Sequence, residues 1–109
     1  MNYEIIAIPK FKRDIKKLTK KYPSLKSEFA NLVDNLEQQP EQGTFIGNNC
    51  YKVRLAIASK NKGKSGGARL IICVKILETT VYLLTIYDKS EKENITNAEL
   101  LDLLKEIVL

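Results

Sequence analysis

The sequence predicts an α+β domain: a small antiparallel sheet with an N-terminal helical hairpin and a C-terminal helix, in the order β-α-α-β-β-β-α. Three observations predict it. Apolar residues recur at helical spacing over residues 9–36 and again over 96–109. Between them lie three runs rich in β-branched and aliphatic residues, bounded by turn-forming clusters. The chain has 109 residues, 44% hydrophobic and 28% charged, which is one ordinary globular domain spanning 1–109.

The first run, residues 3–8 (YEIIAI), is strand-like and is closed by Pro9, which suits the first turn of a helix. Phe11, Ile15, Leu18 and Tyr22 then form a narrow apolar stripe among Lys10, Lys12, Arg13, Lys16, Lys17, Lys20 and Lys21. Pro23 breaks this helix, and Ser24 is the candidate N-cap of a second, whose apolar face is Leu25, Phe29, Leu32, Val33 and Leu36. So short a connection predicts an antiparallel helical hairpin. Residues 50–57, 68–77 and 80–89 read as strands, the last two joined tightly at Glu78-Thr79 as a β-hairpin. A basic, glycine-rich loop, 59–67 (SKNKGKSGG), links the first two. Thr96-Asn97-Ala98-Glu99 is a capping-box pattern that opens a final helix carrying Leu100, Leu103, Leu104, Ile107 and Val108 on one side.

Charge is distributed unevenly. The net charge is +5, and residues 42–77 contain Lys52, Arg54, Lys60, Lys62, Lys64, Arg69 and Lys75 but not one Asp or Glu. Strand alternation places Lys52 and Arg54 on one face, Arg69 and Lys75 with Ile71 and Cys73, and Thr85 with Tyr87 and Lys89. If the aliphatic faces are buried under the helices, the opposite face presents Lys52, Arg54, Arg69, Tyr87 and Lys89 together. Solubility calls for both signs of charge, whereas a face of one sign suits phosphate groups. The lysines of the loop, Lys60, Lys62 and Lys64, and Lys75 extend this candidate RNA-binding surface. The basic first helix reads equally well as an ordinary solvated surface.

Several function classes are excluded. The chain has no histidine, which removes Ser-His-Asp and Cys-His catalysis and histidine-based metal sites. Gly63-Lys64-Ser65 resembles the end of a phosphate-binding P-loop, but that pattern needs a glycine where Ala58 stands and a helix where a strand is predicted. No run approaches the ~20 apolar residues of a membrane span, and the N-terminus lacks a secretory leader, so a cytoplasmic location is expected. Cys50 and Cys73 lie far apart in sequence, inside strands, and read as small buried hydrophobes rather than as a disulfide in a reducing compartment.

The segments Tyr51-Lys52-Val53-Arg54-Leu55-Ala56, Lys62-Gly63-Lys64-Ser65-Gly66-Gly67-Ala68-Arg69 and Tyr82-Leu83-Leu84-Thr85-Ile86-Tyr87-Asp88-Lys89-Ser90-Glu91-Lys92-Glu93-Asn94 resemble the RelE/HigB branch of the RelE/ParE toxins. The resemblance covers nearly the whole chain. It implies a RelE-like, microbial-ribonuclease-like fold and the toxin role in a type II toxin–antitoxin system. It also implies a metal-independent endoribonuclease that cuts mRNA in the ribosomal A site, needs no cofactor, and is silenced by a cognate antitoxin. Arg69 matches the family arginine that contacts the scissile phosphate. Lys52 and Arg54 match basic positions on the preceding strand, and Lys89 one at the end of the last strand. Some relatives carry a catalytic tyrosine in the C-terminal helix; none is present here, and Tyr87 is the candidate replacement. Two alternatives stay open: a ParE-type poison of DNA gyrase, and a non-catalytic RNA- or ribosome-binding module.

Overall fold

The computed structural model describes residues 2–60 and 66–107. The elements are β1 (Glu4–Ala7), α1 (Pro9–Lys21), α2 (Leu25–Gln38), β2 (Thr44–Gly47), β3 (Cys50–Leu55), β4 (Ala68–Lys75), β5 (Thr80–Asp88) and α3 (Asn97–Leu104), with short 3-10 turns at Ala58–Lys60 and Ile76–Glu78. One five-stranded sheet runs in the order β1-β5-β4-β3-β2. The α+β class and the predicted order hold, with β2 added. β2 through β5 form an antiparallel meander, while β1 joins β5 in parallel, Ile6 opposite Tyr82. Parallel neighbours need a crossover connection, and everything from α1 to β4 supplies it.

The added strand has a local cause. Asn48 and Asn49 both adopt left-handed backbone, at φ 53° and 62°, as a two-residue hairpin turn requires. They fold β2 back on β3, where the exposed Phe45 packs edge-on against Tyr51 at 5.3 Å.

α1 starts at Pro9 as expected. Ser24 does not cap α2: its backbone is already helical, and its hydroxyl lies 3.1 Å from the Glu28 carboxylate and 2.8 Å from the Ser59 hydroxyl. It thereby ties the helical hairpin to the turn at Ala58–Lys60. The capping box of α3 forms in both directions, Thr96 Oγ1 accepting from Glu99 N at 3.1 Å and Glu99 Oε1 from Thr96 N at 3.0 Å. α3 ends at Leu104, sooner than the sequence pattern suggested; Ile107 is nevertheless buried, and Val108 lies outside the described residues.

Phe11, Leu18, Leu25, Leu32 and Leu36 of the helical hairpin are buried, with Phe11 and Phe29 in ring contact at 5.5 Å. Leu70, Ile72 and Val74 share one side of β4, opposite Arg69, Ile71 and Cys73. A bulge at Leu84, where Ile71 faces Thr85 but Ile72 faces Leu83, breaks the alternation of β5, whose residues are buried along its whole length. Among the described residues, no helix is long and apolar enough to cross a membrane.

Gly67 permits the close approach of β3 and β4: a Cβ there would sit 2.1 Å from the Leu55 carbonyl oxygen. Gly67→Ala is expected to force the strands apart and lower stability by about 1–3 kcal/mol. Thermal melting of the variant checks this; an unchanged midpoint would show that the hairpin end yields freely.

Candidate nucleic-acid interface

Backbone register assembles the central feature. Arg54 pairs with Arg69, and Arg69 with Tyr87, so three strands place these side chains in one row on one face of the sheet. The next row, Lys52, Ile71 and Thr85, lies on the same face. Like charges directly opposite each other across strands repel. Arg54 and Arg69 are therefore held together by the sheet and not by mutual attraction. Among the described residues, neither Lys52 nor Arg54 has a carboxylate partner.

Burial grades the row. Arg54 is exposed, whereas Arg69 and Tyr87 are only 4% and 9% exposed. Arg69 Nη1 donates to the Ala68 carbonyl at 3.1 Å. Burial lowers the Arg69 pKa and the Arg54 charge lowers it further, with Tyr87 partly offsetting both. A guanidinium stays charged even so, so its positive charge lies in a poorly solvated place, where it acts strongly on any anion. Burial raises the pKa of Tyr87, Arg69 pulls it back, and Glu99 raises it again. Among the described residues, the buried Tyr87 hydroxyl has no well-formed hydrogen bond, and the Ile95 backbone lies near it.

The face is not open along its length, which corrects the expectation that the helices would all lie on the aliphatic side. The segment after β5 folds back over it. Lys92 sits 5.9 Å from the Tyr87 ring centre and pairs with Glu99. Lys52 Nζ donates to Asn94 Oδ1 at 3.0 Å, and Lys89 Nζ to the Glu93 carbonyl at 3.1 Å. α3 continues along the same side, its last turn beside Asn48, Asn49 and Lys75. The reason lies in the strand itself. The face that carries Arg69 also carries Ile71 and Cys73, both fully buried, and Leu100, Leu103 and Ile107 are buried with them. A cavity of about 550 Å³ between α1 and α3 reaches Tyr87 but is lined by Asp14, Asp88, Glu91, Glu99, Asp102 and Glu106 against three lysines. Its charge opposes a phosphate, so the Arg54–Arg69 row is the better anion seat.

The other sequence candidates separate. Lys89 stands at the end of β5 near the row, half-buried and engaged with Glu93. Lys60 is not on the cationic face. Its ammonium is buried 2.5 Å from Asp88 Oδ1 and 5.3 Å from the Tyr22 ring centre. The physical reason is that Asp88 is itself buried at the strand end and needs a counter-charge. Lys75 lies at the opposite end of β4 from Arg69, near the last turn of α3. Lys62 and Lys64 lie outside the described residues. Sequence reasoning missed Asn94, Lys92 and Ile95 as the cover, because a short run of alternating charges reads as a solvated loop.

The chain belongs to the RelE toxin family: the family model described as the RelE toxin of RelE / RelB toxin–antitoxin systems matches residues 10–107. The fold is similar to that of an Escherichia coli RelE toxin, a double arginine-to-alanine variant in the free state, at 18% identity and a TM-score of 0.63, covering 99% of this chain and 100% of that one. It is also similar to a chain of the RelBE2 toxin–antitoxin complex of Mycobacterium tuberculosis, at 20% identity and a TM-score of 0.57, covering 81% and 92% respectively. No curated protein matches this sequence.

Proposed function

We propose that this chain is the toxin of a type II toxin–antitoxin pair, acting in the cytoplasm as an endoribonuclease on mRNA in the ribosomal A site and neutralised by a cognate antitoxin. The single observation that carries the nuclease reading is the Arg54–Arg69–Tyr87 row, two guanidinium groups and a phenol in register on one face. Family membership and the antitoxin present in the M. tuberculosis RelBE2 complex support the partner.

In this reading Arg69 and Arg54 hold the scissile phosphate and stabilise the charge that builds on it. Arginine suits the role because its planar fork gives two parallel hydrogen bonds to phosphate oxygens. Lys52, in the adjacent row, exchanges its bond to Asn94 for the ribose 2′-hydroxyl and orients it, the hydroxyl proton passing to solvent as the oxygen attacks phosphorus. Tyr87, a phenol that is protonated at neutral pH, stands in the same row as Arg69 to donate a proton to the leaving 5′-oxygen. Lys89 adds positive charge at the end of β5. The phosphorus–oxygen bond to the 5′-side breaks, leaving a 2′,3′-cyclic phosphate.

Induced expression without the partner is expected to stop methionine incorporation within minutes while thymidine incorporation continues. The reverse order would transfer the chain to the gyrase-poison reading. Arrested translation with intact mRNA would leave a ribosome-binding module.

A further inference from the structure

The two cysteines are distant in sequence but adjacent in the sheet. Cys50 of β3 is directly opposite Cys73 of β4. The flanking bond runs from Val74 N to Asn49 O at 2.8 Å, which identifies Cys50 and Cys73 as a non-hydrogen-bonded antiparallel pair. Such pairs bring side chains closest, with Cα atoms about 4.5 Å apart, inside the range that a disulfide spans. The two sulfurs also converge on one acceptor: Cys50 Sγ lies 3.3 Å and Cys73 Sγ 3.9 Å from the Asn48 carbonyl oxygen. Both residues are fully buried; their chain neighbours Asn48 and Asn49, with Lys75, Leu104 and Ile107, line a surface depression of about 270 Å³.

We propose that Cys50 and Cys73 form a redox modification site, a dithiol that closes reversibly to a cross-strand disulfide when a peroxide enters at the last turn of α3. Two buried thiols facing each other across a ladder need no backbone rearrangement to join, and small size admits a peroxide where a bulky disulfide reagent is excluded. Cys73 is the attacking thiol: Lys75, two residues further along β4 and so on the same strand face, lines the depression and supplies positive charge that favours the thiolate. The Cys73 thiolate attacks one peroxide oxygen; the O–O bond breaks and a sulfenic acid forms. The Cys50 sulfur then displaces the sulfenic oxygen, which leaves as water with the thiol proton. Two thiols and one hydrogen peroxide become one disulfide and two waters. Disulfides in reducing compartments are typically transient and redox-sensing, and the short cross-strand geometry fits that use.

The test treats the full chain with hydrogen peroxide and follows it by intact mass and non-reducing peptide mapping. The expected result is loss of two hydrogens, a linked Cys50–Cys73 peptide, and full reversal by dithiothreitol. Closing the loop 50–73 should also raise the melting midpoint by roughly 10 °C or more. In Cys50→Ser, Cys73 should stop at a sulfenic acid, read by intact mass as the gain of one oxygen. Two free thiols persisting in the folded protein, sulfinic acid on one cysteine beside an intact thiol on the other, or linkage only between chains would each overturn the proposal. The wild-type result decides even if the variant does not fold.

Discussion

Arg69→Ala is expected to slow mRNA cleavage on programmed ribosomes by about 10²–10³-fold, the usual consequence of losing one well-placed electrostatic contact to a transition state. Arg69 occupies the middle of the row, flanked by Arg54 and Tyr87, and is 4% exposed, so its charge is little screened by water. Its removal also relieves the repulsion with Arg54, which limits the cost to folding. Arg69→Lys keeps the charge but loses the planar fork and should recover only part of the rate. Thermal melting serves as the folding control. Equal cleavage by wild type and an equally stable alanine variant would remove Arg69 from the site and leave the row without its centre.

The second large effect concerns stability. Asp88 is fully buried as a side chain and Lys60 is 6% exposed. Asp88 Oδ1 also accepts from the backbone N and the hydroxyl of Ser90, at 2.9 and 2.7 Å, and Oδ2 from the Tyr22 hydroxyl at 2.7 Å. Burial by itself would raise the Asp88 pKa, but Lys60, Tyr22 and Ser90 together outweigh it and hold the carboxyl well below the usual carboxylate range. Asp88→Asn leaves the Lys60 ammonium buried without a counter-charge and should cost about 3–5 kcal/mol. Adding Lys60→Met should restore much of that loss, because the isolated charge is then gone. Denaturant unfolding of the three variants measures this; a double variant no better than Asp88→Asn would refute the pairing.

The same group sets a pH dependence. Its folded pKa is depressed, so the stability it contributes is fully present above the unfolded carboxylate pKa of about 3.9 and is lost as pH falls toward the folded value. Wild type should therefore weaken steadily below about pH 4, whereas Asp88→Asn should show a flatter acid limb. Unfolding curves from pH 7 to pH 2 would reveal parallel limbs if Asp88 were uninvolved.

Much of this was legible in the sequence, and the reasons are particular. Pro9, Pro23 and the Thr96–Glu99 box mark helix boundaries through local chemistry that tertiary context did not override. Strand period alone put Lys52, Arg54, Arg69 and Tyr87 on one face, because a period of two depends only on the backbone. What escaped depended on partners remote in the chain. The bulge at Leu84 has no local marker in an aliphatic strand. Lys60 looked like its lysine neighbours until Asp88 and Tyr22 converged on it from β5 and the end of α1. The opposition of Cys50 and Cys73 follows only once the register of β3 against β4 is known.

The sheet's outer boundary has its own consequence. Both border strands, Glu4–Ala7 and Thr44–Gly47, are four residues long. The second is irregular in register between Phe45 and Gly47. A long, flat border is a template for stacking identical chains, and brevity with a kink spoils that template. The longest and most aliphatic strands, β4 and β5, lie inside, with neighbours on both sides. Edge-to-edge stacking of identical chains is thereby disfavoured. Light scattering of the isolated protein at high concentration should stay low, and an engineered extension of β2 should raise it.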